Sequence, residues 1–210
     1  MEIIDIISAI SNFLIGIGTI TVAIVAWRGL NTWKEEFRHK RKSELAEEVI
    51  FQFYEVLESI KYIRAITHTS DELDAVKEQN IPELEDEKKF RKLAYLFAFL
   101  NRHNKRLDSF IKFHSLQKRA KIHFGNDIEQ HFNVFHEIKR ELIIATQLTI
   151  WRLNHDYEFY DPRSEEQIEA DHNERLKNDK ILWNHGETDE FNQKMKYAID
   201  EVEKILSPFF

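Results

Sequence analysis

Twenty-two consecutive positions, residues 6–27, carry no charge: IISAISNFLIGIGTITVAIVAW. As an α-helix rising about 1.5 Å per residue, the run is about 33 Å long, enough to cross a hydrocarbon core of about 30 Å. A cleaved signal peptide has a basic start, a shorter apolar core and a small-residue cleavage site. Here Glu2 and Asp5 precede the run, and the first basic residue is Arg28. The expectation is a retained anchor rather than a targeting tag.

The run is not uniformly apolar. At 100° per residue, Ser8, Asn12, Gly16, Thr19, Ala23 and Ala26 fall within an arc of about 80°. Phe13, Leu14, Ile17, Ile20, Ile24 and Val25 make up a lipid-like surface elsewhere. Small residues let helix backbones approach closely, and Ser, Thr and Asn hydrogen-bond between membrane helices. An Asn facing lipid is costly, so Asn12 is expected to face protein or water. With one span per chain, the facing surface comes from another chain. The stripe of Ser8, Asn12, Gly16, Thr19 and Ala23 therefore predicts helix packing or the lining of a pore in a homo-oligomer.

Flanking charge sets the expected orientation. Acidic residues precede the span, whereas Arg28, Lys34 and the cluster Arg38, His39, Lys40, Arg41 and Lys42 follow it. The positive-inside rule places the long C-terminal part in the cytoplasm and the N-terminus outside, as in a single-pass protein of a bacterial inner membrane. Trp27 and Trp33 fall where an aromatic belt meets the membrane interface, and Arg38, Lys40, Arg41 and Lys42 can meet anionic headgroups.

The remainder is large enough to bury one core. It is poor in Gly (5) and Pro (3) and 32% charged, which points to an all-α protein, and sixteen Phe residues imply an aromatic-rich core or interface. The absence of Cys excludes disulfides, thiol catalysis and Cys-based metal sites. A net charge of −7 argues against a DNA-binding domain. The expected layout is an anchor over residues 1–30 and a cytosolic helical domain over 31–210, with residues 155–188 as a charged loop or insertion.

Within that domain, Leu45, Val49, Phe53, Val56, Leu57, Ile60 and Ile63 follow the three-and-four spacing of a buried stripe. Residues 67–85 are polar, contain Pro82 and read as a loop. A helix over 86–123 is expected, its apolar face including Phe90, Leu93, Tyr95, Leu96, Phe97, Phe99, Leu100, Leu107, Phe110, Ile111 and Phe113. Gly125, Asn126 and Asp127 form a stop-and-restart signal before a helix over 128–153, with Phe132, Phe135, Ile138, Leu142, Ala145 and Ile150 inward. Residues 154–178 are strongly charged and read as exposed, with room for a helical piece from Ser164. Residues 189–206 read as a closing amphipathic helix.

Catalytic signatures are sparse. The ten His residues show no H-x-x-x-H or H-E-x-x-H spacing, and there is no phosphate-cradling glycine loop, so neither metal nor cofactor is expected. Small all-α ribonucleases of the HEPN type use an Arg to stabilise phosphorane charge and a nearby His as general acid or base. Arg152 and His155 have two residues between them, Arg119 and His123 three, Arg163 and His172 eight. None fits the motif cleanly. Arg119 and His123 read instead as a surface i, i+4 pair near a helix C-terminus.

The N-terminal span, the segment Asn31-Thr32-Trp33-Lys34-Glu35-Glu36-Phe37, the later Lys42-x-Glu44-Leu45-Ala46 and the Phe124-Gly125 break resemble a broad group of bacterial single-span proteins with a helical cytosolic domain. Within it, the chain resembles the membrane accessory proteins of type VI-B CRISPR systems. The resemblance implies a HEPN-like helical domain, an oligomeric ring, and a pore that dissipates the inner-membrane potential during phage infection. A CRISPR effector complex or its RNA products would then be partners alongside membrane lipid and further copies of the chain. The resemblance carries no catalytic residue over. The alternatives are a membrane-tethered degenerate HEPN ribonuclease, with Arg119, His123, Arg152 and His155 as its candidates, and a non-catalytic tether for a soluble partner.

Overall fold

A computed structural model of the chain describes residues 3–66, 72, 87–155 and 165–210. All regular structure among the described residues is helical. The elements are α1 (Ile3–Ile63), α2 (Glu87–Lys105), α3 (Leu107–Phe124), α4 (Asp127–His155), α5 (Glu165–Leu182) and α6 (Glu190–Leu206), with short 3₁₀ turns at Gly186–Thr188 and Ser207–Phe209. Two compact units are formed: Met1–Leu45 with Phe209, and Ala46–Pro208 with Phe210.

The larger unit is a helical bundle in which α4 is central. It packs against α2, α3, α5 and α6. The α1 stripe is its other main wall: Val49, Phe53, Val56, Ile60 and Ile63 are buried as the three-and-four spacing predicts. Phe53 is fully buried, with its ring centroid 4.8 Å from Phe113, 4.6 Å from Phe132 and 5.2 Å from Phe135. All three contacts are edge-on, the geometry that the ring quadrupole favours. Gln52, one position before, donates its side-chain amide to the Ser109 carbonyl at 2.9 Å and ties α1 to α3.

Gly125 separates α3 from α4 with φ of 98° and ψ of −178°, a conformation that a Cβ would oppose. Its N–H closes the last turn of α3 on the Lys121 carbonyl. Asp189 caps α6, accepting from the N–H groups of Phe191 and Asn192.

Three expectations change. The helix expected over 86–123 is two helices, broken at Arg106, whose φ of −104° and ψ of 8° leave the helical basin. The Arg106 N–H is shared between the carbonyls of Arg102 and His103, a tightened last turn. In consequence Leu107 and Ile111 face solvent, while Phe110, Phe113, Leu116 and Ala120 turn inward. Ile150 is only half-buried; its neighbour Thr149 is the buried residue, its hydroxyl back-bonded to the Ala145 carbonyl at 2.7 Å. The charged stretch after residue 164 is a full helix, α5, which buries Asn178 and Leu182 as it packs on α4. The loop expected over 67–85 lies outside the described residues apart from Glu72, as do residues 156–164.

Candidate functional site

The apolar N-terminal part of α1 is the most distinctive surface of the chain. Among the described residues it is the one helix long and apolar enough, by length and composition, to cross a membrane, and none of its apolar window is buried. Phe13 is 69% exposed, and Leu14, Ile15, Ile20, Val22 and Val25 are comparably open. A core helix of the same composition would be covered by its own fold. Ser8, Asn12, Gly16, Thr19 and Ala23 are exposed too, and nothing lies within 4 Å of where a Cβ on Gly16 would stand.

The hydroxyl groups in this segment are partly self-satisfied. Thr19 donates to the Ile15 carbonyl at 2.8 Å and Thr21 to the Ile17 carbonyl at 2.9 Å. Such back-bonds remove the cost of a hydroxyl in hydrocarbon, so Thr19 needs no partner to sit in lipid. The Asn12 amide carries two N–H donors and a carbonyl acceptor, more than one back-bond satisfies, and it remains the polar group that most requires protein or water.

The small-residue face extends beyond the apolar run. Asn12, Gly16, Thr19, Ala23, Ala26, Leu30, Trp33 and Phe37 follow one another in alternating steps of four and three. That is a strict seven-residue repeat, the pattern that keeps one face toward a partner helix. Leu30, Trp33 and Phe37 are all exposed. Periodicity counted past Trp27 would have revealed this continuation.

Below the apolar run, Trp27 and Trp33 are exposed. Trp33 stacks on Phe37 at 5.7 Å, and the Arg41 guanidinium lies 4.3 Å from the centroid of the same Phe37 ring. Arg38, Lys40 and Arg41 are exposed, and Lys42 is half-buried with its ammonium 5.5 Å from the centroid of the Phe209 ring. Lys40 and Glu44 form one long, open ion pair at 4.0 Å. The exposed cations Arg38, Lys40 and Arg41 can meet a charged surface, and an aromatic belt next to cations is the arrangement found at membrane interfaces.

Of the four ribonuclease candidates, Arg119, His123 and Arg152 have described side chains. Arg119 is exposed and paired with Glu48 at 3.2 Å, and His123 is exposed one helical turn later on α3. Arg152 is paired with Glu174 at 2.5 Å, across the α4–α5 contact. The side chain of His155 lies outside the described residues. Among the described residues no group of three His, Cys, Asp or Glu could hold a metal ion.

The most elaborate polar centre is structural. Arg64, just past the end of α1, is 1% exposed. Its guanidinium makes two 2.7 Å bonds to the Asp189 carboxylate and donates to the carbonyls of Ile181, Lys180 and Trp183. The Phe191 ring covers it at 4.9 Å. Burial alone would raise the Asp189 pKa. The bonds from Arg64 and from the His185 and Asn192 N–H groups outweigh it and hold the carboxyl below its usual range. These five bonds tie the end of α1 to the α5–α6 turn.

Two histidines meet between α3 and α4. His136 lies 5.4 Å from His114 and bonds to the Gln117 side chain at 3.1 Å. Burial, then the neighbouring His114 and Lys139, push its pKa down. His103 stacks on Phe110 at 5.6 Å and is likewise pushed down by burial and Lys139.

Compared with known proteins, the chain matches no family model, no curated protein and no solved structure.

Proposed function

We propose that the protein is a single-pass membrane protein that self-associates through the Asn12–Phe37 face of α1 and forms a pore in a bacterial inner membrane. The carrying observation is an uncovered apolar helix with one small, polar face set in a seven-residue repeat. Hydrocarbon satisfies the apolar surface; only another helix or water satisfies Asn12. The basic and aromatic residues from Trp27 to Lys42 anchor the inner interface, with the N-terminus outside. A ring of such helices around the stripe opens a path for ions, and the larger helical unit serves as its cytoplasmic base. The resemblance to type VI-B CRISPR accessory proteins supports a ring with a HEPN-like base, and it makes loss of membrane potential during phage infection the physiological output.

Imaging of the full-length protein in detergent, followed by conductance in planar bilayers, tests the reading. A closed ring with an axial opening and ion conductance is expected. Asn12→Leu and Gly16→Leu should abolish conductance and leave the fold of the larger unit intact. A monomer, or full conductance in both variants, contradicts it.

A further inference from the structure

A small cleft of ≈ 30 Å³ opens where α2, α4 and α5 meet. Lys92 comes from α2, Thr149 and Arg152 from α4, and Arg175, Asn178 and Asp179 from α5. Its lining carries three cations against one carboxylate. Asn178 is only 8% exposed, and its Nδ2 is buried with no hydrogen-bond partner among the described residues. A buried amide donor left unsatisfied is costly, which asks for an acceptor in the cleft. Guanidinium and ammonium groups donate and cannot accept, so none of the three cations supplies it. The Thr149 hydroxyl, which donates to the Ala145 carbonyl, and the Asp179 carboxylate can both accept, but neither is bonded to the Asn178 amide. The cleft therefore presents donors and positive charge to a volume that holds about one small oxyanion or a water or two.

We propose that this cleft binds one phosphate-sized oxyanion, either free or as the phosphomonoester end of a larger molecule. Arg152 and Arg175 supply fork-shaped donors suited to phosphate oxygens, Lys92 a point charge, and Asn178 the buried N–H. Arg152 now pairs with Glu174, and Arg175 with Asp171 at 2.9 Å. Glu174 is half exposed, so water can replace its cation when the anion enters. The cleft opens to solvent on one side, which leaves room for the remainder of an esterified ligand. This site is independent of the pore reading, because all its residues belong to the larger unit.

The test is a titration of the full-length protein in detergent with inorganic phosphate, followed by ³¹P line broadening and by thermal unfolding, with chloride at matched ionic strength as control. Saturable broadening and a phosphate-specific rise in unfolding temperature are expected. Arg152→Gln and, separately, the more exposed Lys92→Gln should weaken binding by about tenfold or more, with unchanged helical circular dichroism. A second arm uses phosphatidylcholine vesicles with and without phosphatidic acid. Competition between vesicles and phosphate identifies a lipid headgroup as the source; phosphate binding without competition identifies a soluble one. No saturable phosphate binding by the wild type, or equal binding by both variants, means that the cleft holds water only and overturns the proposal.

Discussion

Phe13 and Phe53 lie on one helix and meet opposite fates. The first is 69% exposed in an apolar run that its own fold leaves uncovered, whereas the second is fully buried among Phe113, Phe132 and Phe135. Both segments are rich in Ile, Val and Phe, so composition alone does not separate them. The separation comes from pattern. Around Phe53, buried apolar residues recur on one face, and Glu47, Glu48, Glu55 and Glu58 lie among the residues of the other, with Phe51 and Tyr54. Around Phe13, apolar residues occupy nearly every face and the small residues occupy one. The first pattern selects protein as its solvent; the second selects lipid on most sides and a helix or water on the remaining one.

Breaking the buried centre should give the largest effect. Arg64→Ala leaves the Asp189 carboxylate buried without its cation, and a loss of about 3–5 kcal/mol is expected in chemical denaturation of the larger unit. Phe53→Ala should cost a similar 3–5 kcal/mol or slightly less, through cavity formation. Its counterpart Phe13→Ala should leave that same unfolding transition unchanged. A loss at Phe13 as large as that at Phe53 would erase the distinction between the two segments.

Acidity sharpens the contrast, because the titrating groups lie in the larger unit. His103, His131 and His136 have pKa values lowered from 6.5, chiefly by burial. The unfolded chain therefore binds more protons than the folded one between the folded values and 6.5. Stability should be complete above that window and fall as pH drops through it. Asp189 adds a second loss at lower pH: its depressed pKa stabilises the fold above the ordinary carboxylate value, and that stability is lost as pH falls through the folded value. Denaturation midpoints at about pH 7.5 and about pH 5 should differ, and His136→Gln should reduce the difference. A flat profile would mean that these histidines are as well solvated in the fold as out of it.

The smallest effect is expected at Arg119. Its pair with Glu48 is exposed on both sides, so Arg119→Gln should change stability by about 0–1 kcal/mol.

How much of this was legible beforehand varies by element for physical reasons. The α1 stripe could be read because burial on one face imposes its spacing on the sequence. The Gly125 stop could be read because its left-handed backbone conformation favours glycine. The break at Arg106 could not. Asn104, Lys105 and Arg106 include no Gly or Pro, and the turn is set by contacts elsewhere, such as the Gln52 amide on the Ser109 carbonyl. The length of α5 was hidden by its charges, because only a few of its residues, Leu182 among them, meet the core. Arg64 and Asp189 are 125 positions apart, a separation at which sequence gives no hint of pairing. The anion cleft is hidden for the same reason, since three helices must meet before Asn178 loses its water.

The account rests most on the claim that residues 6–27 lie in hydrocarbon. The chain contains no cysteine, so single thiols can be placed without background. Phe13→Cys, Ile20→Cys and Tyr197→Cys should be treated with N-ethylmaleimide in intact membranes, where only thiolates in contact with water react. The account predicts prompt labelling at position 197 and none at 13 or 20 until the membranes are dissolved in denaturing detergent. Labelling at 13 and 20 as fast as at 197 would contradict it, because the apolar face of α1 would then stand in water.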